Sequence, residues 1–331
     1  MTARVVLLVT SPRLPAGLLT AAAWDVVRAH PVLAAAESDL VAALRAAGAD
    51  VTVTDDPVPA LLDRAATHGT AVWLAGPTGD EDVARQLGLR LAGDPGLAEL
   101  ELMYGSWDPP GARLLDAVAV MDRLLSPGGD PWKRAQTHAS LARFLIEECY
   151  EAYDAIAAGD LAALREELGD VLLQVVLHAR LAEELPEGER WTIDDVAGGL
   201  VAKMIRRNPH VFAGERVDSI EEITENWEQI KRAEKPRASA LDGVALSQPA
   251  LALAAKVLHR VERAGLDVPL PAPGADAESR LGAELLQTVA RARTAGLDAE
   301  AALRRVTLEY AATARAVEWE RATDAGSGTP H

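Results

Sequence analysis

Residues 145–176 read LIEECYEAYDAIAAGDLAALREELGDVLLQVV, and eight of those side chains are acidic against one base, Arg165. Four of the acids form two pairs with the same spacing, Glu148 with Glu151 and Glu167 with Asp170. Residues three apart on an α-helix share a face, so each pair presents its carboxyl groups in one direction. If the two pairs meet, the four carboxylates raise one another's pKa unless a cation stands among them. Ligation by carboxylates alone, without His or Cys, is the preference of a hard ion, Mg²⁺ or Mn²⁺ as its substitute. Mg²⁺ also keeps waters and takes phosphate oxygens as further ligands, so the chemistry to expect is a divalent ion presented to a phosphorylated substrate.

The surrounding elements predict that meeting. Helical periodicity from about Thr137 to Ala158 stops at Gly159, a C-terminal signal. Asp160 is placed to cap a second helix from Leu161 to about Glu184, which Pro186 ends. So short a connection demands an antiparallel helical hairpin, in which residues equidistant from the turn face one another. Glu147, Glu148 and Glu151 lie roughly 12 to 18 Å before the turn, and Glu167 and Asp170 about as far beyond it. A solvated acidic face would intersperse Lys or Arg at i+4. Instead DVLLQVVL, directly after Gly169, is apolar around most of the helix, which predicts burial on several sides. Two more helices follow: Thr192 with Asp195 reads as a capping box opening one that Asn208-Pro209 closes, and Ser219 with Glu222 opens another through about Lys235.

Upstream, VVLLVT, DVTVT and TAVWLAG are short β-branched runs, separated by the helical segments SDLVAALRAAG and PALLDRAATHG. They predict an α/β domain over residues 1–105, with SWDPPG at 106–111 as a joint. This part shows no phosphate-binding glycine pattern, no clustered His and no acid at a strand end to single out, so it reads as structural or vestigial. From residue 112 onward the pattern is helical, and the fold class expected is mainly α with an N-terminal α/β domain. There is an internal repeat: ELGDVLLQVVLHAR, 167–180, aligns without gaps on RLGAELLQTVARAR, 280–293. Glu167 has become Arg280 and Asp170 has become Ala283, while the apolar positions persist. A copy that keeps its core positions and drops its acids implies that folding does not need them, which leaves function as their reason.

Composition bounds the remaining classes. A formal charge of −17 opposes nonspecific binding to nucleic acid in the absence of a basic patch. The single cysteine, Cys149, excludes an internal disulfide framework and a Cys-based zinc cluster, and is expected to be a small buried filler. No segment approaches the length of a membrane span and the N-terminus has no secretory h-region, so a soluble, cytoplasmic protein is expected.

EECYE, followed after fifteen residues by ELGD, resembles the EExxE and ExxD pattern of the MazG family of nucleoside triphosphate pyrophosphohydrolases, in the all-α NTP pyrophosphatase superfamily. PWKRAQTHASLARFLIEE, RRNPHVF and NWEQIKRAEK are similar to its flanking segments, although relatives usually have Asp where this chain has Lys133. The resemblance covers residues 112–237; residues 248–322 resemble a degenerate second copy, 323–331 is expected to be a disordered tail, and the N-terminal part is faintly similar to a methylase-like domain. It implies Mg²⁺-dependent hydrolysis of NTPs or dNTPs to the monophosphate and pyrophosphate, within a helical bundle that is commonly a homodimer. Glu148, Glu151, Glu167 and Asp170 would be the metal ligands; Glu147, the first acid of the motif, would support them from outside or activate water, with Glu166 as its rival for that role. Lys203 and Arg207, sharing a helix face, would hold phosphate, whereas Arg206 would complement the helix dipole. Lys231 and Lys235 are the nearest further cations in sequence. Trp227, four residues before Lys231 and in the segment that matches the family's W-x3-K pattern, would stack on a base while Lys231 reaches phosphate, or would anchor the core. A Nudix box fails because its upstream Glu and Gly fall on Ala157 and Glu151, and a di-iron bundle lacks its E-x-x-H. The alternative is a non-catalytic nucleotide sensor or scaffold that retains the metal site.

Overall fold

In a computed structural model of the protein, which describes residues 2–75, 80–214, 216, 217, 219–234 and 238–326, the chain is mostly helical with one small parallel sheet. In chain order the first elements are β1 (Arg4–Val9), α1 (Ala21–Ala29), β2 (Val32–Ala34), α2 (Asp39–Ala46), β3 (Val51–Val53), α3 (Pro57–His68), β4 (Thr70–Leu74), α4 (Glu81–Gly93) and β5 (Glu99–Tyr104). Then come α5 (Arg113–Leu125), α6 (Pro131–Arg134), α7 (His138–Ala158), α8 (Leu161–Ala182), α9 (Ile193–Arg207), α10 (Pro209–Phe212) and α11 (Ile220–Glu234). The last are α12 (Ala250–Arg263), α13 (Ala277–Thr294) and α14 (Ala299–Gly326). They form two compact units, Met1–Leu200 and Val201–His331, and the joint expected at 106–111 falls inside the first.

The sheet order is β3-β2-β4-β1-β5, all parallel, with Val72 of β4 registered against Val6 of β1 and Val32 of β2. Alternation along the strands sorts the core into two layers. Val6, Leu8, Val32, Ala34, Val72 and Leu74 pack on α1 and α2 through Ala23, Val27, Val41 and Leu44. Val5, Leu7, Leu33, Ala71 and Trp73 pack on α3 and α4 through Val58, Leu61, Ala65 and Leu87. Central strands covered on both faces must be apolar throughout, which is why β4 reads TAVWL and is buried at every position. β5 is an edge, and its ELELMY alternates charge with apolar residues; Glu101 meets Arg4 at 2.7 Å.

The hairpin that holds the acids follows from its caps. Thr137 accepts from the Ser140 N–H while the Ser140 hydroxyl accepts from that of Thr137, fixing the start of α7. Gly159 ends the helix in the left-handed conformation, φ 69°, and the Asp160 N–H closes the turn on the Ala155 carbonyl at 3.0 Å. The Asp160 carboxylate then accepts from the Ala162 and Ala163 N–H groups to start α8. A Cβ at Gly159 would meet nothing within 4 Å, so the penalty of Gly159→Ala lies in the backbone conformation alone. That substitution is expected to lower stability by about 1 kcal/mol, read as a lower urea midpoint with an unchanged m-value.

Met121 and Leu125 of α5, Leu141 of α7, and Val176 and Leu177 of α8 make the core beneath the hairpin. Arg180 locks α8 to α5 through Asp122 at 2.8 Å. In the second unit Arg293, its counterpart in the repeat, locks α13 to α12 through Glu262 at 2.7 Å. Val176 and Val289 are both buried, and Ala283, also buried, stands where the first copy has Asp170. Residues 264–276, between α12 and α13, hold no counterpart of α7. The chain continues as helix to Gly326, inside the tail expected to be disordered; residues 327–331 lie outside the described ones.

Candidate functional site

The two halves of the hairpin meet in the register that the turn imposes. His138, at the start of α7, reaches His178, near the end of α8, with Nδ1 atoms 2.7 Å apart and the rings stacked within 5°. The same register sets Glu148 and Glu151 against Glu167. Glu148, Glu151 and Glu167 each offer an oxygen, and these three atoms all lie within 4.8 Å of one another. Asp170 stands outside that trio but acts on both Glu148 and Glu167 by its charge.

Partial burial, the charge of Asp170 and the adjacent Glu151 push the Glu148 carboxyl above its ordinary 4.5, against a lowering hydrogen bond from Gln174. The close approach of the Glu151 side chain adds to that rise. Glu167 is raised by burial, by Glu151, by Asp170 and by Glu166. Oxygen-only donors held this close, with two of them resisting ionisation, are the donor set of a hard cation and fit one well. Glu147 and Glu166 are both exposed; Glu166 makes itself felt at Glu167, and the converging trio does not include Glu147.

Gln174 was not singled out by the sequence reading. It is 3% exposed, lies one helical turn after Asp170, and its amide holds Glu148. Its Oε1 has no hydrogen-bond partner among the described residues, and neither has the buried His178 Nε2 one turn on. The available signal was a lone polar residue in the apolar run LLQVV, repeated as Gln287 in the second copy. Cys149 is exposed rather than a buried filler, because it lies beside the acids while Leu141, Ala152 and Ala155 supply the buried positions of α7.

In the second unit the basic residues form their own cluster. Arg206 and Arg207 at the end of α9 both bind Glu234 of α11, with Arg206 Nε at 2.7 Å and Arg207 Nη2 at 2.5 Å. These bonds pull the Glu234 carboxyl down to about 2. Arg207 and Lys231 also lie over the Trp227 ring, 5.3 and 4.6 Å from its centre. Arg206 thus does more than complement a dipole, and Arg207 already has a carboxylate. Lys203 is half-buried one turn before Arg207. Lys235 lies outside the described residues. No helix among those described is long and apolar enough to cross a membrane.

Comparison with known proteins agrees with this hairpin. The model of the MazG nucleotide pyrophosphohydrolase domain matches residues 136–212, which span α7, α8 and α9. An uncharacterized 26.1 kDa protein of Streptomyces cacaoi is 46% identical over 232 residues, 69% of this chain and 93% of that one. The nucleoside triphosphate pyrophosphohydrolase of Escherichia coli K12 is 37% identical over 227 residues, 61% of this chain and 85% of that one. That of Mycolicibacterium smegmatis is 48% identical over 212 residues, and the match spans 60% of its length. The hairpin that gathers the carboxylates thus lies inside the matched domain, which is that of hydrolases acting on acid anhydrides. The chain belongs to the MazG family of nucleotide pyrophosphohydrolases.

Proposed function

We propose that this chain hydrolyses nucleoside and deoxynucleoside triphosphates to the monophosphate and pyrophosphate, clearing unwanted nucleotides from the pool. The observation that supports the reading best is the convergence of Glu148, Glu151 and Glu167 in a site short of positive charge. In this reading Glu148, Glu151, Glu167 and Asp170 hold Mg²⁺, with Mn²⁺ as a substitute. When bound, the ion supplies Lewis-acid charge for a phosphate oxygen and makes a water more acidic. Gln174 keeps the Glu148 carboxylate oriented. Glu166, whose charge reaches Glu167, is favoured over Glu147 to take the proton of the attacking water. Lys203, Arg207 and Lys231 are assigned to phosphate oxygens and Trp227 to the base, on residue type and the family pattern. The helical part is read as the bundle of the all-α NTP pyrophosphatases, with modules at 112–237 and 248–322 beside the α/β module 1–105, and as a cytoplasmic homodimer without a nucleic-acid partner.

Pyrophosphate release from a panel of normal and modified NTPs and dNTPs, with Mg²⁺ and with a chelator, tests the reading. Release that needs the metal is the expected result. Nucleotide binding without release, in a folded sample with ample Mg²⁺, would make the chain a non-catalytic nucleotide sensor instead.

A further inference from the structure

We propose that the α/β part binds an unphosphorylated nucleoside in a cavity at the carboxyl-terminal edge of its sheet, a second site separate from the acidic hairpin. The topology says where to look. The connections leaving β1 and β2 cross the face covered by α1 and α2, and those leaving β3 and β4 cross the opposite face. β4 stands between β2 and β1, so the chain leaving it turns away from the chain leaving both neighbours. Open parallel sheets bind ligands in the crevice that such a divergence creates at the strand ends. A cavity of about 700 Å³ lies there, lined among the described residues by those that follow β1 and β2 and by Leu74, Ala75 and Asp80. That volume is within the range of small-molecule sites.

The lining selects the ligand. Among the described residues that form it there is no Lys and no Arg, and the turn after β1, TSPRLPAG, is not a phosphate-binding glycine loop. Arg45, the cation nearest Glu37 in its contacts, is already held by that carboxylate at 2.7 Å. A phosphate placed here would meet the carboxylates of Glu37, Asp39 and Asp80. The hydroxyls of Ser11, Ser38 and Ser106 are engaged with Asp108, the Val41 N–H and the Ser11 N–H. Glu37 is held by Arg45 through both of its oxygens, so Thr10 and Asp39 are the groups best suited to read a ligand. A carboxylate just beyond a strand end accepts both donors of a ribose diol, as in nucleoside sites on related sheets. Leu19, Val41 and Leu74 supply the apolar wall that an aromatic base requires.

Calorimetric titration of the full chain in EDTA, which leaves the carboxylate hairpin without metal, tests this with adenosine, guanosine, cytidine and uridine and their 5′-monophosphates. One nucleoside is expected to bind at a single site per chain, and its monophosphate at least about tenfold more weakly. Asp39→Asn is expected to weaken binding by about tenfold. Ala35→Phe, which fills the cavity from an exposed position, is expected to abolish it with the melting temperature unchanged. The proposal is overturned if no nucleoside binds up to about 5 mM, if the monophosphates bind as tightly, or if Ala35→Phe leaves binding intact. Pyrophosphate release from NTPs is a separate readout, so failure at this cavity leaves the hairpin reading untouched, and the reverse holds too.

Discussion

Glu148→Gln is expected to lower pyrophosphate release by about a thousandfold or more, roughly 4 kcal/mol of transition-state stabilisation, while making the metal-free protein more stable at neutral pH. The two halves have one cause. A carboxyl whose pKa is raised on folding favours the folded state only while protonated. Its contribution is present below the unfolded value, near the ordinary 4.5, and is lost as pH rises through the folded value. Glu148, with Glu151, Asp170 and partial burial all acting to raise it, is therefore a destabilising group at pH 7 without a counter-ion. Gln keeps the shape and removes the charge. Thermal melts of the chelated protein should show the variant a few degrees, about 2–4 °C, above the wild type at pH 7, with the gap closing as pH approaches 4. Saturating Mg²⁺ should reverse the order, because binding to the folded wild type alone adds about 2.7 kcal/mol at a hundredfold excess over Kd. A variant that melts below the wild type in chelator, or that still releases pyrophosphate at the wild-type rate, would remove Glu148 from the site.

The convergence of three of these acids was legible in the sequence. Two carboxylate pairs at three-residue spacing, set symmetrically about a Gly-Asp turn, leave little freedom: the turn fixes the register and the register brings Glu148, Glu151 and Glu167 together. The second copy sharpened the reading, since its buried Val289 keeps the place of Val176 while Ala283 and Arg280 replace two of the acids. The α/β part was less legible for a physical reason. β2 is only three residues, and β5 alternates Glu with Leu as an edge may, so neither gives the apolar run that marked β1 and β4. Without β2 the acid Glu37 did not stand at a strand end, and the cavity it borders had no signal. Partnership between charged residues was equally hidden: nothing in the spacing of Arg207 and Glu234 said that they would pair across two helices.

Gln174→Leu should separate orientation of the acids from their number. A buried amide in a helix interior is costly when part of it is unsatisfied, by about 1–3 kcal/mol, and Gln174 Oε1 has no partner among the described residues. Leu fills nearly the same volume and ends that penalty, so the variant is expected to be at least as stable as the wild type. What it loses is the hydrogen bond that opposes the upward pull on the Glu148 carboxyl. Glu148 should then ionise less readily and point less uniformly, and removal of such an outer partner typically weakens metal binding about 10- to 100-fold. The measurement is the Mg²⁺ concentration for half-maximal pyrophosphate release at saturating nucleotide. A rise of that size, with a maximal rate recovered at high Mg²⁺, is the expected outcome, and the rise should shrink at higher pH as Glu148 ionises without help. An unchanged Mg²⁺ requirement in a stable variant would reduce Gln174 to a packing residue, and would mean that the hairpin register alone sets the geometry of the acids.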